Sequence, residues 1–226
     1  MQAQSDLVGI DGQADLDLPG ALEHIREMYV AMMKSLARVV EAKDECTRGH
    51  LDRAQAYGLA LARRVAPDLA RRPATAFGFF LHDLGKVGIP EKVLCKPGPL
   101  TLDEWGVMRA HPMIGAQILE PFRFLAEAVS IVRHHHERFD GSGYPYGLAG
   151  TDIPLAARIF SVADCFDAMT SDRPYRAAMP VSAALEEIRA NAGTQFDPEV
   201  TGAFFDLIRE GDAFARPEQQ ALLRAV

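Results

Sequence analysis

Six of the seven histidines in this sequence, His50, His82, His111, His134, His135 and His136, fall in its central part; the exception is His24. A single histidine is more often a satisfied core or surface residue than a ligand, so the signal lies in what surrounds these. His82 is followed directly by Asp83 at the end of an apolar run containing Phe77, Phe79, Phe80 and Leu81. Burying an ionisable pair there is costly unless a positive charge compensates the carboxylate, and a bound cation would do so. Asp164 poses the same problem within FSVADCFDAM, where an unpaired carboxylate in an apolar helix would be destabilising. Imidazole and carboxylate donors with no placed thiolate favour iron, manganese or another borderline ion over a Cys-rich zinc site.

The elements that must hold these residues read as helices. Leu22, Ile25, Tyr29, Met32, Leu36 and Val39 recur at steps of 3, 4, 3, 4 and 3, a heptad seam on one helix over 21–43. The seam is short for a free coiled coil, so it is expected to pack on its own domain, with a homodimer as the second reading. Residues 1–20, rich in Asp, Gln and Gly without period, are expected to form a mobile leader. A second helix is expected over 49–64, and a third from Pro73 through His82 and Asp83 until Gly88 and Pro90 stop it. Thr101 and Glu104 have capping-box spacing ahead of a helix over 102–110. Further helices are expected over 113–119, 122–136, 155–170, 181–192 and 198–210. No stretch alternates apolar and polar residues long enough to demand a strand, so the fold class is all-α. The long irregular segment 138–154, RFDGSGYPYGLAGTDIP, is the kind of loop a compact domain keeps for use. Trp105 is expected to pack within the core or against a helix.

Composition removes several functions. In 226 residues, 24 Lys and Arg stand against 31 Asp and Glu, a net charge of -7, which argues against duplex nucleic acid as a partner. The three cysteines are odd in number, widely spaced and in no CxxC arrangement, as a reducing cytoplasm would allow. No apolar run approaches the ~18 residues of a membrane helix. The chain therefore reads as soluble and cytoplasmic.

Five ordered blocks then carry a family resemblance: HDLGKVGIP at 82–90, KPGPLT at 96–101, HHE at 135–137, DGSGYP at 140–145 and VADCFDAMTSDRPYR at 162–176. Over about residues 44–208 the sequence resembles the HD-GYP family of bacterial cyclic di-GMP phosphodiesterases, a branch of the HD metal-dependent phosphohydrolases. The resemblance implies an HD-superfamily helical bundle with the N-terminal helix packed on it and a catalytic domain over 44–226. It also implies that His50, His82, Asp83, His111, His135, His136 and Asp164 hold two divalent metal ions, with Asp83 bridging them. Paired cations can share a hydroxide, lower the pKa of that water and clamp both oxygens of an in-line displacement at phosphorus.

Some family members hold a third metal through a glutamate four residues before the first histidine and the second aspartate of the VADxFD block. Cys46 and Asp167 stand at those positions here. A cysteine is a poor substitute for a hard carboxylate, so a two-metal site is expected, with Asp167 a structural or supporting carboxylate. Lys86 follows Asp83 by three residues and would face the scissile phosphate, neutralising charge in the transition state. Arg173 and Arg176 in SDRPYR would offer guanidinium forks to substrate phosphates. Tyr144 or Tyr146 of the DGSGYPYG loop would stack on guanine, and the same loop is the family's contact surface for diguanylate cyclases.

The expected activity is hydrolysis of cyclic di-GMP to linear pGpG, with GMP as a further product left open, by attack of a metal-bridging hydroxide. Alternatives are a phosphodiesterase for cyclic GMP-AMP, a catalytically silent cyclic-dinucleotide receptor that contacts diguanylate cyclases, and a general nucleotide phosphohydrolase of the wider superfamily.

Overall fold

The computed structural model describes residues 18–43, 49–172 and 177–210. Among them the helices are α1 (Leu18–Lys43), α2 (His50–Val65), α3 (Pro67–Ala70), α4 (Pro73–Leu81), α5 (Glu91–Leu94), α6 (Leu102–Met108), α7 (His111–Leu119), α8 (Ala126–His134), α9 (Leu155–Thr170), α10 (Val181–Ala190) and α11 (Pro198–Arg209). Short 3-10 turns cover Leu84–Gly88, Arg123–Leu125 and Gly150–Asp152. The described residues contain no strand, only the isolated bridges Asp140 to Ala149 and Ala192 to Phe196, so the expected all-α class holds.

The larger apolar cluster joins α2, α4, α9, α10 and α11 through residues such as Leu61, Phe79, Phe160, Phe166 and Phe204. Phe79 and Phe160 stack with centroids 4.8 Å apart, pinning α4 to α9 directly beneath His82. A second cluster draws in Met33, Ala37 and Val40 of α1 with Phe80, Leu84, Leu119 and Val132. The capping box of α6 forms in both directions: Glu104 N–H donates to the Thr101 hydroxyl at 3.3 Å, and Thr101 N–H donates to the Glu104 carboxylate at 2.8 Å.

Three expectations need correction. The helix beginning at Pro73 ends at Leu81, and 84–88 winds as a 3-10 turn instead of continuing it. Gly85 explains the change, because a Cβ there would stand 1.9 Å from the His111 carbonyl oxygen. The tight turn lies backbone against backbone on α7, which brings Asp83 next to His111. Second, α1 does pack on the bundle, but its buried contacts do not come from the heptad seam, of which, among the described residues, Tyr29 alone meets a bundle ring, Phe124, at 6.0 Å between centroids. Leu22, Ile25, Tyr29, Met32, Leu36 and Val39 are 42 to 66% exposed, while Met33, Ala37 and Val40 on the adjacent face are buried. The domain is satisfied by a narrow stripe one residue round the helix, so apolar periodicity alone misidentified the inward face. Third, α1 starts at Leu18, inside the expected leader. Residues 1–17, Cys46 and the pair Arg173 and Arg176 lie outside the described residues.

Candidate functional site

The sequence places its donors at helix ends, and the bundle brings those ends together. His50 opens α2, His82 caps the end of α4, His111 opens α7, and His135 caps the end of α8 with His136 next in line. Asp164 projects from the middle of α9. His82, His111 and His135 repeat one local device: each Nδ1 lies 2.8 to 2.9 Å from the carbonyl three residues earlier, of Phe79, Met108 and Val132. A carbonyl only accepts, so each Nδ1 is the donor, and each neutral ring is left with its Nε2 lone pair facing inward.

His50 is oriented differently. Its Nδ1 lies 2.7 Å from the Asp167 carboxylate, which is itself clamped by Arg53 at 2.6 and 3.1 Å. Asp167 Oδ2 is shared by His50 and Arg53 while its Oδ1 accepts from Arg53 Nε, so the carboxylate orients the His50 ring.

The resulting Nε2 atoms meet in pairs, His50 to His82 at 3.3 Å and His111 to His135 at 3.4 Å. Lone pairs aimed at one another repel unless a cation or proton lies between them, so the donor set fits a metal ion. Asp83 touches both pairs: Oδ1 is 3.3 Å from His111 Nε2, and Oδ2 is 3.2 Å from His82 Nε2 and 2.8 Å from Lys86 Nζ. Two sets of converging donors result, Asp83 with His111, His135 and His136, and Asp83 with His50 and His82. Asp164 Oδ1 joins the second set, 3.1 Å from His50 Nε2 and 3.8 Å from His82 Nε2.

Electrostatics divides the two sets. Burial works against the charged form of His50, yet its bonds to Asp164 and Asp167 outweigh that and raise it to about 9. Burial pushes His111 down, drives His135 well below the usual histidine range, and takes His136, beside His111, down to about 3. Burial opposes ionisation of Asp83, but Lys86, His82 and His111 hold it well below the usual carboxylate range. Asp164 is likewise held low against burial by His50 and His82.

Beside this centre lies a groove of about 750 Å³. Tyr144 stacks on His136 with centroids 4.7 Å apart, and Arg109 covers that ring at 5.3 Å. Burial raises the Tyr144 hydroxyl above its ordinary value, so it stays protonated and able to donate. The loop that carries it is fixed by Glu137, a buried carboxylate that accepts from the backbone N–H of Tyr146 at 2.8 Å and of Leu148 at 3.0 Å. Gly143 is required by close approach, since a Cβ there would stand 2.2 Å from the Arg138 nitrogen. His134 belongs to neither donor set; its Nδ1 lies on the Ser130 carbonyl and its ring against Tyr146.

Sequence reading missed Glu137 and Arg109 and misjudged Trp105. The HHE block contained the first, but nothing in the spacing said that its carboxylate would turn onto the loop. Trp105 is not core: it is 45% exposed and lines the groove. Among the described residues neither Cys95 nor Cys165 is in a disulfide. Among the described residues no helix is long and apolar enough to cross a membrane.

The family described as HD domain matches residues 34–200. The cyclic di-GMP phosphodiesterase response regulator RpfG of Xanthomonas campestris pv. campestris is 40% identical over 82% of this chain and 50% of its own. The 3'3'-cGAMP-specific phosphodiesterase 3 of Vibrio cholerae is 39% identical over 84% of this chain and 42% of its own. A crystal structure of a cyclic GMP-AMP specific phosphodiesterase of V. cholerae, V-cGAP3, matches with a TM-score of 0.61 at 18% identity, covering 85% of this chain and 52% of that one. The chain thus spans about half the length of the curated relatives it matches.

Proposed function

Because this chain belongs to the HD domain family, we propose that it is a metal-dependent phosphodiesterase that opens cyclic di-GMP to linear pGpG. The observation that carries this reading is the position of Asp83 between two sets of inward Nε2 atoms. In it, His111, His135 and His136 would hold one cation, His50, His82 and Asp164 would hold another, and Asp83 would serve both. The all-nitrogen and oxygen donor set supports iron or manganese. Such cations would supply Lewis acidity, lowering the pKa of water toward neutrality and polarising a phosphoryl oxygen.

The protein's own groups do the rest. Lys86, mostly buried and 2.8 Å from Asp83, brings a fixed positive charge to the place where negative charge grows on the phosphate. Tyr144 walls the groove with its ring and has a hydroxyl to donate to the substrate. Arg173 and Arg176 remain phosphate-binding candidates on motif alone. Near-equal similarity to phosphodiesterases named for cyclic di-GMP and for cyclic GMP-AMP keeps the latter nucleotide as the second substrate reading.

The exposed tip of the loop, with Tyr146 55% exposed, supports contact with diguanylate cyclases. Cys95 and Cys165, in no disulfide among the described residues, are in keeping with a cytoplasmic setting. The exposed seam on α1 supports a homodimer, to be checked by size-exclusion chromatography with Met32→Glu/Leu36→Glu, which alters the seam and spares the buried stripe.

Metal analysis of anaerobically purified protein, together with chromatography of cyclic di-GMP after incubation, tests the activity. Two metals per chain and release of pGpG, both lost in Asp83→Ala, are expected. An intact nucleotide above a filled site would overturn it in favour of a receptor or another cyclic dinucleotide.

A further inference from the structure

One wall of the groove is α6. Leu102, Trp105, Gly106 and Arg109 line it, facing Tyr144 and Asp164. Trp105 and Arg109 are four apart and lie one above the other on the same helix face. The wall is anchored at its start by the capping box and by the 2.5 Å ion pair of Lys96 with Glu104. The Trp105 indole has no ring or hydrogen-bond partner among the described residues, although it is 45% exposed. Arg109 has no carboxylate partner among them either; its guanidinium rests on the Tyr144 ring. Arg138, lining the same groove, is by contrast tied to Ser142 at 3.0 Å and Gln195 at 2.7 Å. Between Trp105 and Arg109, a Cβ added at Gly106 would meet nothing within 4 Å, so the helix leaves open space there. A flat aromatic face, an uncommitted guanidinium fork and room beside them are what a purine base requires.

We propose that Trp105 and Arg109 form the base-reading subsite of this groove, the indole stacking on one purine and the guanidinium selecting guanine over adenine. The assignment rests on the cyclic-dinucleotide reading above and adds to it the residue that discriminates. Guanine presents two acceptors, O6 and N7, that a guanidinium fork engages together. Adenine puts an amino donor where O6 would be, and an all-donor guanidinium cannot pair with it.

The chain contains a single tryptophan and five tyrosines, so fluorescence excited at the red edge, where tyrosine does not absorb, reports Trp105 alone. Rapid mixing of metal-loaded full chain with cyclic di-GMP is expected to quench that fluorescence before turnover. In steady state, Trp105→Ala and Gly106→Leu are expected to raise KM roughly tenfold, with kcat and metal content held, as one stacked base is worth. Trp105→Phe should recover most of the loss. Arg109→Ala should reduce the preference for cyclic di-GMP over cyclic di-AMP roughly tenfold, and Arg109→Lys should restore charge without restoring the preference. Turnover without quenching, or parent-like KM and preference in these variants, overturns the subsite and leaves the phosphodiesterase reading intact. Quenching without hydrolysis upholds the subsite and sinks that reading, and the absence of both removes the two together.

Discussion

The centre is built from two halves that share Asp83 and differ in what stands behind them. Behind His111 and His135 are backbone carbonyls, which fix the rings but add no charge. Behind His50 is the Asp167 carboxylate, held in turn by Arg53. Without a cation, Asp164 and Asp167 together let His50 hold a proton up to about 9, whereas burial and the neighbouring His111 make His136 release its own at about 3. One half is charged in waiting and the other stays neutral. On the two-metal reading proposed above, a metal would have to displace a proton from the first and only enter the second.

The largest expected effect comes from the residue common to both. Asp83→Ala should empty both halves and lower turnover roughly 10³-fold or more, measured by metal content and hydrolysis of cyclic di-GMP. Retention of both metals would break the idea of a shared bridge. Next, His136→Ala and His50→Ala should each leave about one metal per chain, in opposite halves. Metal titration would show the remaining site tighter at neutral pH in His50→Ala than in His136→Ala.

The metal-free protein should reveal the same asymmetry through its stability. The raised pKa of His50 contributes roughly 3 kcal/mol that is fully present below about 6.5 and is lost as pH rises through about 9. The depressed histidines have the opposite sign: stability falls as pH drops below about 6.5, because only the unfolded chain accepts their protons. Denaturation of metal-free protein across this range should pass through a maximum near neutrality, and metal should flatten the alkaline limb. A monotonic profile would contradict the contrast.

Asp167→Asn should weaken metal binding in the His50 half by roughly 10 to 100-fold and leave the other half unchanged, as read by competition with a chelator. Equal loss in both halves would make Asp167 merely structural. Smallest is Glu137→Gln, which can accept only one of two backbone N–H groups with its single oxygen in the same place. A loss of roughly 1 to 3 kcal/mol in stability, with metal content intact, would separate the loop from the centre.

Some of this was legible because it is local. Thr101 with Glu104, the break after Leu119 and the apolar stretch of α9 are set by neighbours a turn away, and the helices formed there. Asp83 and Asp164 stood out because a carboxylate beside an apolar run demands compensation wherever it folds, whereas the histidines around them stood out only through the family resemblance. The face of α1 was not legible, because the heptad seam and the stripe of Met33, Ala37 and Val40 are both valid helical periods. Only the neighbouring cluster chose between them.

Sequence by itself thus determined an all-α chain and marked Asp83 and Asp164 as carboxylates in need of compensation, since helix formation and the cost of an unpaired buried charge are properties of short segments. Tertiary structure decided the rest. It turned the 3-10 strip at Gly85 onto α7 so that Asp83 faces both halves, set Arg53 and Asp167 behind His50, folded Glu137 onto the loop, and left Trp105 open to the groove. Those outcomes depend on residues tens of positions apart meeting at ångström distances, and no spacing along one chain encodes that directly.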